Sequence, residues 1–271
     1  MKRVILIVFI LLSALSFSEN SISNKEMESN YKISLGFMGG YGSSLYKVDE
    51  SYTRYIPILG FEGENLYILG SEIGYRHKLN SKFTITGFSQ LFGGVSLQGV
   101  GGAIGSTQLK NSDMEEGYKG ISSRKTQTEV GIKLGYNTGF KNTILSGEVR
   151  GGQRGSTAKI SALRAVVVTE RLSIIPQMNF TLVDHNMVNY YFSVSEDEVN
   201  DPRNTKLDKA YNSDQLAYAS GIGVTGNYQF TSEWSAFALA EIQYVADEIG
   251  NSPIVDERAN YFMGVGLRYN F

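Results

Sequence analysis

Hydrolysis by an activated serine needs a histidine within hydrogen-bond reach of the hydroxyl. This 271-residue sequence has only two histidines, His77 and His185. Neither is followed by the spaced Ser and Asn or Gly that an outer-membrane phospholipase would carry. There is no cysteine to act as nucleophile, thiolate ligand or disulfide partner. Two acidic groups, Asp113 with Glu115 and Glu116, and Glu196 with Asp197, Glu198 and Asp201, offer oxygens to a calcium ion. Neither has EF-hand spacing around a central glycine, so both read as hydrated loop charge. The run Gly99-Val100-Gly101-Gly102-Ala103 lacks the following helix of a dinucleotide site. No catalytic residue, metal or cofactor is expected, and a formal charge of −2 gives no basic surface for nucleic acid.

A second set of charges is more informative. Glu72, Glu129, Lys133, Glu148, Arg164, Glu241 and Arg268 fall on the polar side of segments whose other positions are apolar. Period-two alternation makes those segments strands with one apolar face. If the strands close into a barrel with that face outward, the seven charges point into its lumen. Charges of both signs in a narrow lumen form an ion-paired network that holds the barrel rigid. A solute channel would show a wider barrel or a lining of one dominant sign.

The strand that shows this best is the last. Tyr261, Met263, Val265, Leu267, Tyr269 and Phe271 make one apolar face, with aromatics at both ends and aliphatics between. At roughly 3.4 Å per residue the Tyr261–Tyr269 span is about 27 Å, or about 20 Å of depth at a tilt of roughly 40°. Those are the dimensions of an outer-membrane strand between two aromatic girdles, and the terminal aromatic is the form of signal that barrel-insertion machinery reads. High glycine and tyrosine, 30 and 17 residues, suit the same all-β class.

Lys2 and Arg3, the apolar run 4–12, and Ser13, Ala14, Ser16 and Ser18 make a secretory signal peptide over 1–18. Its apolar run is shorter than the ~20 residues of a spanning helix, and no later segment reaches that length. Residues 19–30 read as a polar, flexible periplasmic lead-in, and 31–271 as one closed antiparallel transmembrane β-barrel of about 12 strands. The strands fall near 32–41, 54–61, 66–76, 83–92, 128–136, 143–150, 158–168, 172–183, 188–194, 216–230, 234–244 and 258–271, with a bulge at Pro176. An even count puts both termini on the periplasmic side. Loops 195–214 and 246–257 then become extracellular, and the glycine- and charge-rich segment 95–127 becomes a long periplasmic-side feature. The same count puts His77 in an extracellular turn and His185 in a periplasmic one.

Several stretches also resemble a known family. Pro57-Ile58-Leu59-Gly60-Phe61-Glu62-Gly63-Glu64-Asn65-Leu66-Tyr67-Ile68 followed by Gly74-Tyr75-Arg76 is similar to an early hairpin of the MipA/OmpV outer-membrane proteins. Tyr190-Tyr191-Phe192-Ser193-Val194-Ser195 and Ser252-Pro253-Ile254-Val255-Asp256 follow late, in the same order, before the aromatic terminus. The resemblance covers 31–271. It implies a non-enzymatic barrel in the outer membrane of a diderm bacterium, with no catalytic residues to carry over. One branch of the family is a scaffold joining a lytic transglycosylase to a murein synthase, and others are linked to adhesion or stress response. Expected partners are therefore outer-membrane lipid, the insertion machinery and those two murein enzymes. The enlarged segment 95–127 would dock them. A narrow porin-like channel, or an adhesion or stress-response barrel, is the alternative.

Overall fold

The computed structural model describes residues 31–49, 52–93 and 109–271. The leader over 1–18, the lead-in over 19–30 and the glycine run at 99–103 lie outside the described residues. The strands are β1 (Lys32–Gly42), β2 (Tyr52–Glu62), β3 (Leu66–Leu69), β4 (Glu72–Lys78), β5 (Phe83–Gly93), β6 (Gln127–Asn137) and β7 (Thr143–Gly152). They continue as β8 (Gly155–Arg164), β9 (Val166–Val167), β10 (Leu172–Val183), β11 (Ala217–Gln229), β12 (Trp234–Val245) and β13 (Ala259–Asn270). Every pairing is antiparallel, and β10 on β11 and β13 on β1 complete the ring. β8 and β9 both pair with β10 as one interrupted strand, giving a closed barrel of twelve. Pro176, which has no N–H for the ladder, stands opposite Arg164 and Ile175 opposite Ala165, the two places where β10 has no paired partner on β8 or β9. The register on either side is unchanged, so the expected bulge is instead a skipped rung.

Outward positions match the alternation. Met263, Val265, Leu267 and Phe271 are exposed, as are Ile222 and Val224 on β11 and Val130 and Ile132 on β6. Aromatics collect at two levels. Trp234, Tyr269 and Phe271 meet edge to face near the termini, with ring centroids 5.0 and 4.7 Å apart. Tyr41 with Tyr261 and Phe180 with Tyr218 lie at the far level.

Two of the expected strands differ, and their effects on the count cancel. Segment 66–76 is a hairpin rather than one strand: Gly70, at φ +58°, and Ser71 make a two-residue turn between β3 and β4. Glycine at the first central position is what such tight turns favour. Pairing Leu69 with Glu72 and Tyr67 with Gly74 switches the inward parity. Tyr67 and Leu69, which one continuous strand with Glu72 inward would turn outward, are therefore buried inside with Glu72, while Ile73 and Tyr75 do face outward. Segment 188–194 is not a strand. Its residues 188–192 belong to helix α1 (His185–Phe192), capped by Asp184, whose side chain accepts from the Met187 N–H. Its buried residues, Met187, Val188, Tyr191 and Phe192, follow the 3.6 period.

These changes move the intervening segments to the other end. The described part of 95–127 lies at the rim away from the termini, beside 195–214 and 246–257, and not on the terminal side as parity had implied. His77 falls near the terminal rim and His185 at the far one, each opposite to expectation. They remain at opposite ends.

The far rim carries a packed lid. Segments 43–49, 109–126, 184–216 and 246–258 hold α1, α2 (Glu196–Val199), α3 (Asp247–Gly250) and a 3₁₀ turn at Asn111–Asp113. They share one apolar core with the top of the lumen, including Met114, Ile121, Phe192 and Ile254 with Val183 and Val245. Below it, large inward side chains rest on glycines of the neighbouring strands. A Cβ on Gly40 would stand 2.1 Å from Phe262, and one on Gly266 2.3 Å from Phe237. Gly74 under Tyr67 and Gly131 under Phe88 repeat the arrangement.

Candidate functional site

The register determines which lumen charges meet. Arg76, Thr86, Lys133, Glu148 and Lys159 are successive cross-strand partners on β4 to β8, so they form one rung. Lys133 Nζ lies 3.3 Å from Glu148 and 3.6 Å from Glu72; Lys159 Nζ lies 3.8 Å from Glu148. Arg150, above the rung, reaches Glu129 at 3.4 Å and Glu148 at 3.6 Å, and donates to Gln90 at 2.8 Å. Tyr67 donates its hydroxyl to Glu72 at 2.6 Å, and Arg76 pairs with Glu62 at 3.0 Å while its guanidinium lies over the Tyr67 ring.

Four of the seven expected charges, Glu72, Glu129, Lys133 and Glu148, thus share one network. Arg150 and Lys159 complete it. Arg150 was legible from the alternation, on the parity of Glu148, whereas Lys159 was not, because placing Arg164 inward turns Lys159 to the other face. Arg164 does not belong: it pairs with Thr143 on the outward parity of Ile160, just before the strand breaks at Ala165. Glu241 and Arg268 are inward and buried on the opposite wall, each engaged by other groups. Ser235 stands beside Arg268, and Glu241 is six residues farther along β12, about 20 Å at strand rise. The seven therefore do not form a single ladder.

Beneath the rung a vestibule of about 270 Å³ opens at the terminal rim. Its throat carries the hydroxyls of Thr84, Ser146 and Ser161, again one register row, with Ser146 and Ser161 hydrogen-bonded at 2.7 Å. Lys78, Asn80 and Lys82 stand at its mouth. Above the rung the inward polar groups Gln90, Glu129, Thr181 and Gln243 are all but inaccessible, as are Met38, Ile58 and Phe262.

The lid closes the other end through a buried latch. Arg124 donates to the Ser122 and Ser193 carbonyls at 2.9 Å and to Glu198 at 3.1 Å. Burial alone would raise the Glu198 carboxyl. The backbone N–H groups of Ser195 and Ser122, at 2.9 and 2.8 Å, and the Arg124 charge outweigh it and hold that carboxyl below the usual range. Of the other acidic residues in the two loop groups, Asp201 is held at about 2 by hydrogen bonds from Arg203, and Glu116 pairs with Lys119.

A family model described as MltA-interacting protein MipA matches residues 35–271. The chain belongs to the MipA family. It is 28% identical over 270 residues to a 24 kDa outer membrane protein of Pasteurella multocida (strain Pm70), covering 96% of each chain. It is 23% identical over 245 residues to the MltA-interacting protein of Escherichia coli (strain K12), covering 89% of this chain and 90% of that one. Among solved structures it is similar to the NanC porin at a TM-score of 0.43 and 13% identity, covering 87% of this chain and 98% of that one. The chain is an outer-membrane protein, so the outward apolar belt faces lipid. Barrels of that membrane keep short turns on the periplasmic side and long loops outside. The vestibule therefore faces the periplasm and the lid faces the exterior.

Proposed function

We propose that this barrel is a non-enzymatic docking protein that holds murein-remodelling enzymes, a lytic transglycosylase and a murein synthase, against the outer membrane from the periplasmic side. The observation that supports it best is the filling of the lumen among the described residues: between the charged rung and the lid Met38, Ile58, Gln90, Glu129, Thr181, Gln243 and Phe262 are buried, whereas porins keep a water-filled interior. The relative named MltA-interacting protein supports the choice of partner. Docking takes place on the terminal rim, formed by the short turns at 63–65, 79–82, 138–142, 168–171 and 230–233, because the described part of 95–127 lies on the other side. Residues Tyr261 to Phe271 serve the insertion machinery as its recognition strand.

Affinity capture of the tagged protein from crosslinked envelopes tests this reading. Enrichment of a lytic transglycosylase or a penicillin-binding protein is expected. Recovery of only the insertion machinery and lipopolysaccharide would refute docking. The vestibule, which enters the lumen from the periplasm, is the one feature that favours a narrow channel instead. Planar-bilayer recordings separate the two, since a filled barrel gives near-baseline current and a channel gives discrete steps.

A further inference from the structure

The vestibule is a blind pocket with an unbalanced charge. Its lining holds five cations, Arg76, Lys78, Lys82, Lys133 and Lys159, against two carboxylates, Glu72 and Glu148. The inner cations are partly neutralised. Arg76 pairs with Glu62, and Lys133, Lys159 and Arg150 share Glu72, Glu129 and Glu148. That leaves Lys78 and Lys82 at the mouth, for which no ion pair is formed among the described residues. Next to the rung the wall presents hydroxyls from Thr84, Ser146 and Ser161 on the row whose exposed edge is Lys78, and the apolar side chains of Ile144 and Leu163 one row nearer the rim.

Each part selects a different feature of a ligand. Lysine ammonium groups at an open mouth recognise an anion without the cost of full desolvation. A hydroxyl row donates and accepts, so it matches a molecule that does both. Apolar side chains suit the C–H face of a ring. The volume is just under the ~300 Å³ at which pockets for drug-sized ligands begin, so it admits about one sugar ring with its substituents. We propose that this vestibule is a binding site for a small carboxylated saccharide entering from the periplasm, with its carboxylate held by Lys78 and Lys82 and its hydroxyls by the throat. The site is built from barrel side chains alone and needs no protein partner.

Isothermal titration calorimetry on the purified, folded barrel in detergent decides it, with N-acetylmuramic acid and glucuronic acid as probes and N-acetylglucosamine and glucose as their neutral counterparts. The acids should bind and the neutral sugars should not. Binding of N-acetylmuramic acid alone would point to murein fragments as the source, and binding of glucuronic acid alone to soluble uronates. The Lys78→Gln/Lys82→Gln variant, altered only at the exposed mouth, should bind the acids about tenfold more weakly or worse, as loss of hydrogen bonds to a charged group implies. Equal binding of neutral and acidic sugars, no binding of either acid, or unchanged binding by the variant with its barrel intact by circular dichroism would each overturn the assignment.

Discussion

At the scale of single residues, Glu148 is the most constrained group in the lumen. One carboxylate answers Lys133, Arg150 and Lys159. Glu148→Gln leaves the buried Arg150 and Lys159 and the half-buried Lys133 short of a counter-charge, and removing one partner of a buried pair costs about 3–5 kcal/mol. The urea midpoint of the folded barrel should fall accordingly, while an unchanged midpoint would mean the rung contributes nothing to stability. The aromatic side chains on glycine allow a cleaner test. Gly40→Ala drives a methyl group into Phe262 and should destabilise by about 1–3 kcal/mol. In a double-mutant cycle Phe262→Ala should remove most of that penalty, because the two changes share one contact. Much of this was legible beforehand, since alternation alone put Glu72, Glu129, Lys133 and Glu148 on one side of their strands. What alternation cannot supply is register, and only register puts Lys133, Glu148 and Lys159 side by side while leaving Glu241 and Arg268 on another wall.

At the scale of elements, the lid depends on its latch. Because the Glu198 carboxyl is held low in the folded state, its contribution is complete above the ordinary carboxylate value of about 4.3. That contribution is lost as pH falls through the lower folded value. Limited proteolysis should therefore leave 184–216 uncut near neutrality and cut it in acid, with the barrel strands resistant at both. Arg124→Met should bring the same cleavage at neutral pH, by removing the side chain that ties Ser122, Ser193 and Glu198 together. Resistance of the variant would show that the apolar core alone holds the lid. The elements misjudged from sequence share a physical cause. Two-residue hairpins and short capped helices are specified by a single residue, Gly70 in one case and Asp184 in the other, within stretches whose apolar pattern fits a plain strand as well. Each error shifts parity by one. The two therefore cancelled in the strand count while displacing everything between them, including 95–127 and both histidines.

At the scale of the whole molecule, the described residues make a barrel that is asymmetric along its axis: a lidded exterior, a packed middle and a periplasmic hollow. The same asymmetry extends to its tryptophan emission. The chain has one tryptophan, Trp234, and it stands in the terminal girdle against Tyr269. The protein thus carries a single indole fluorophore, placed in that girdle. Its emission should shift to the blue as the barrel enters a bilayer. Lipids brominated near the headgroup should quench it more than lipids brominated deep in the acyl chains. The reverse order would place the hydrocarbon boundary closer to the terminal rim than the girdle does. Insertion, normally followed by gel shift, would in this protein be visible in real time without a label.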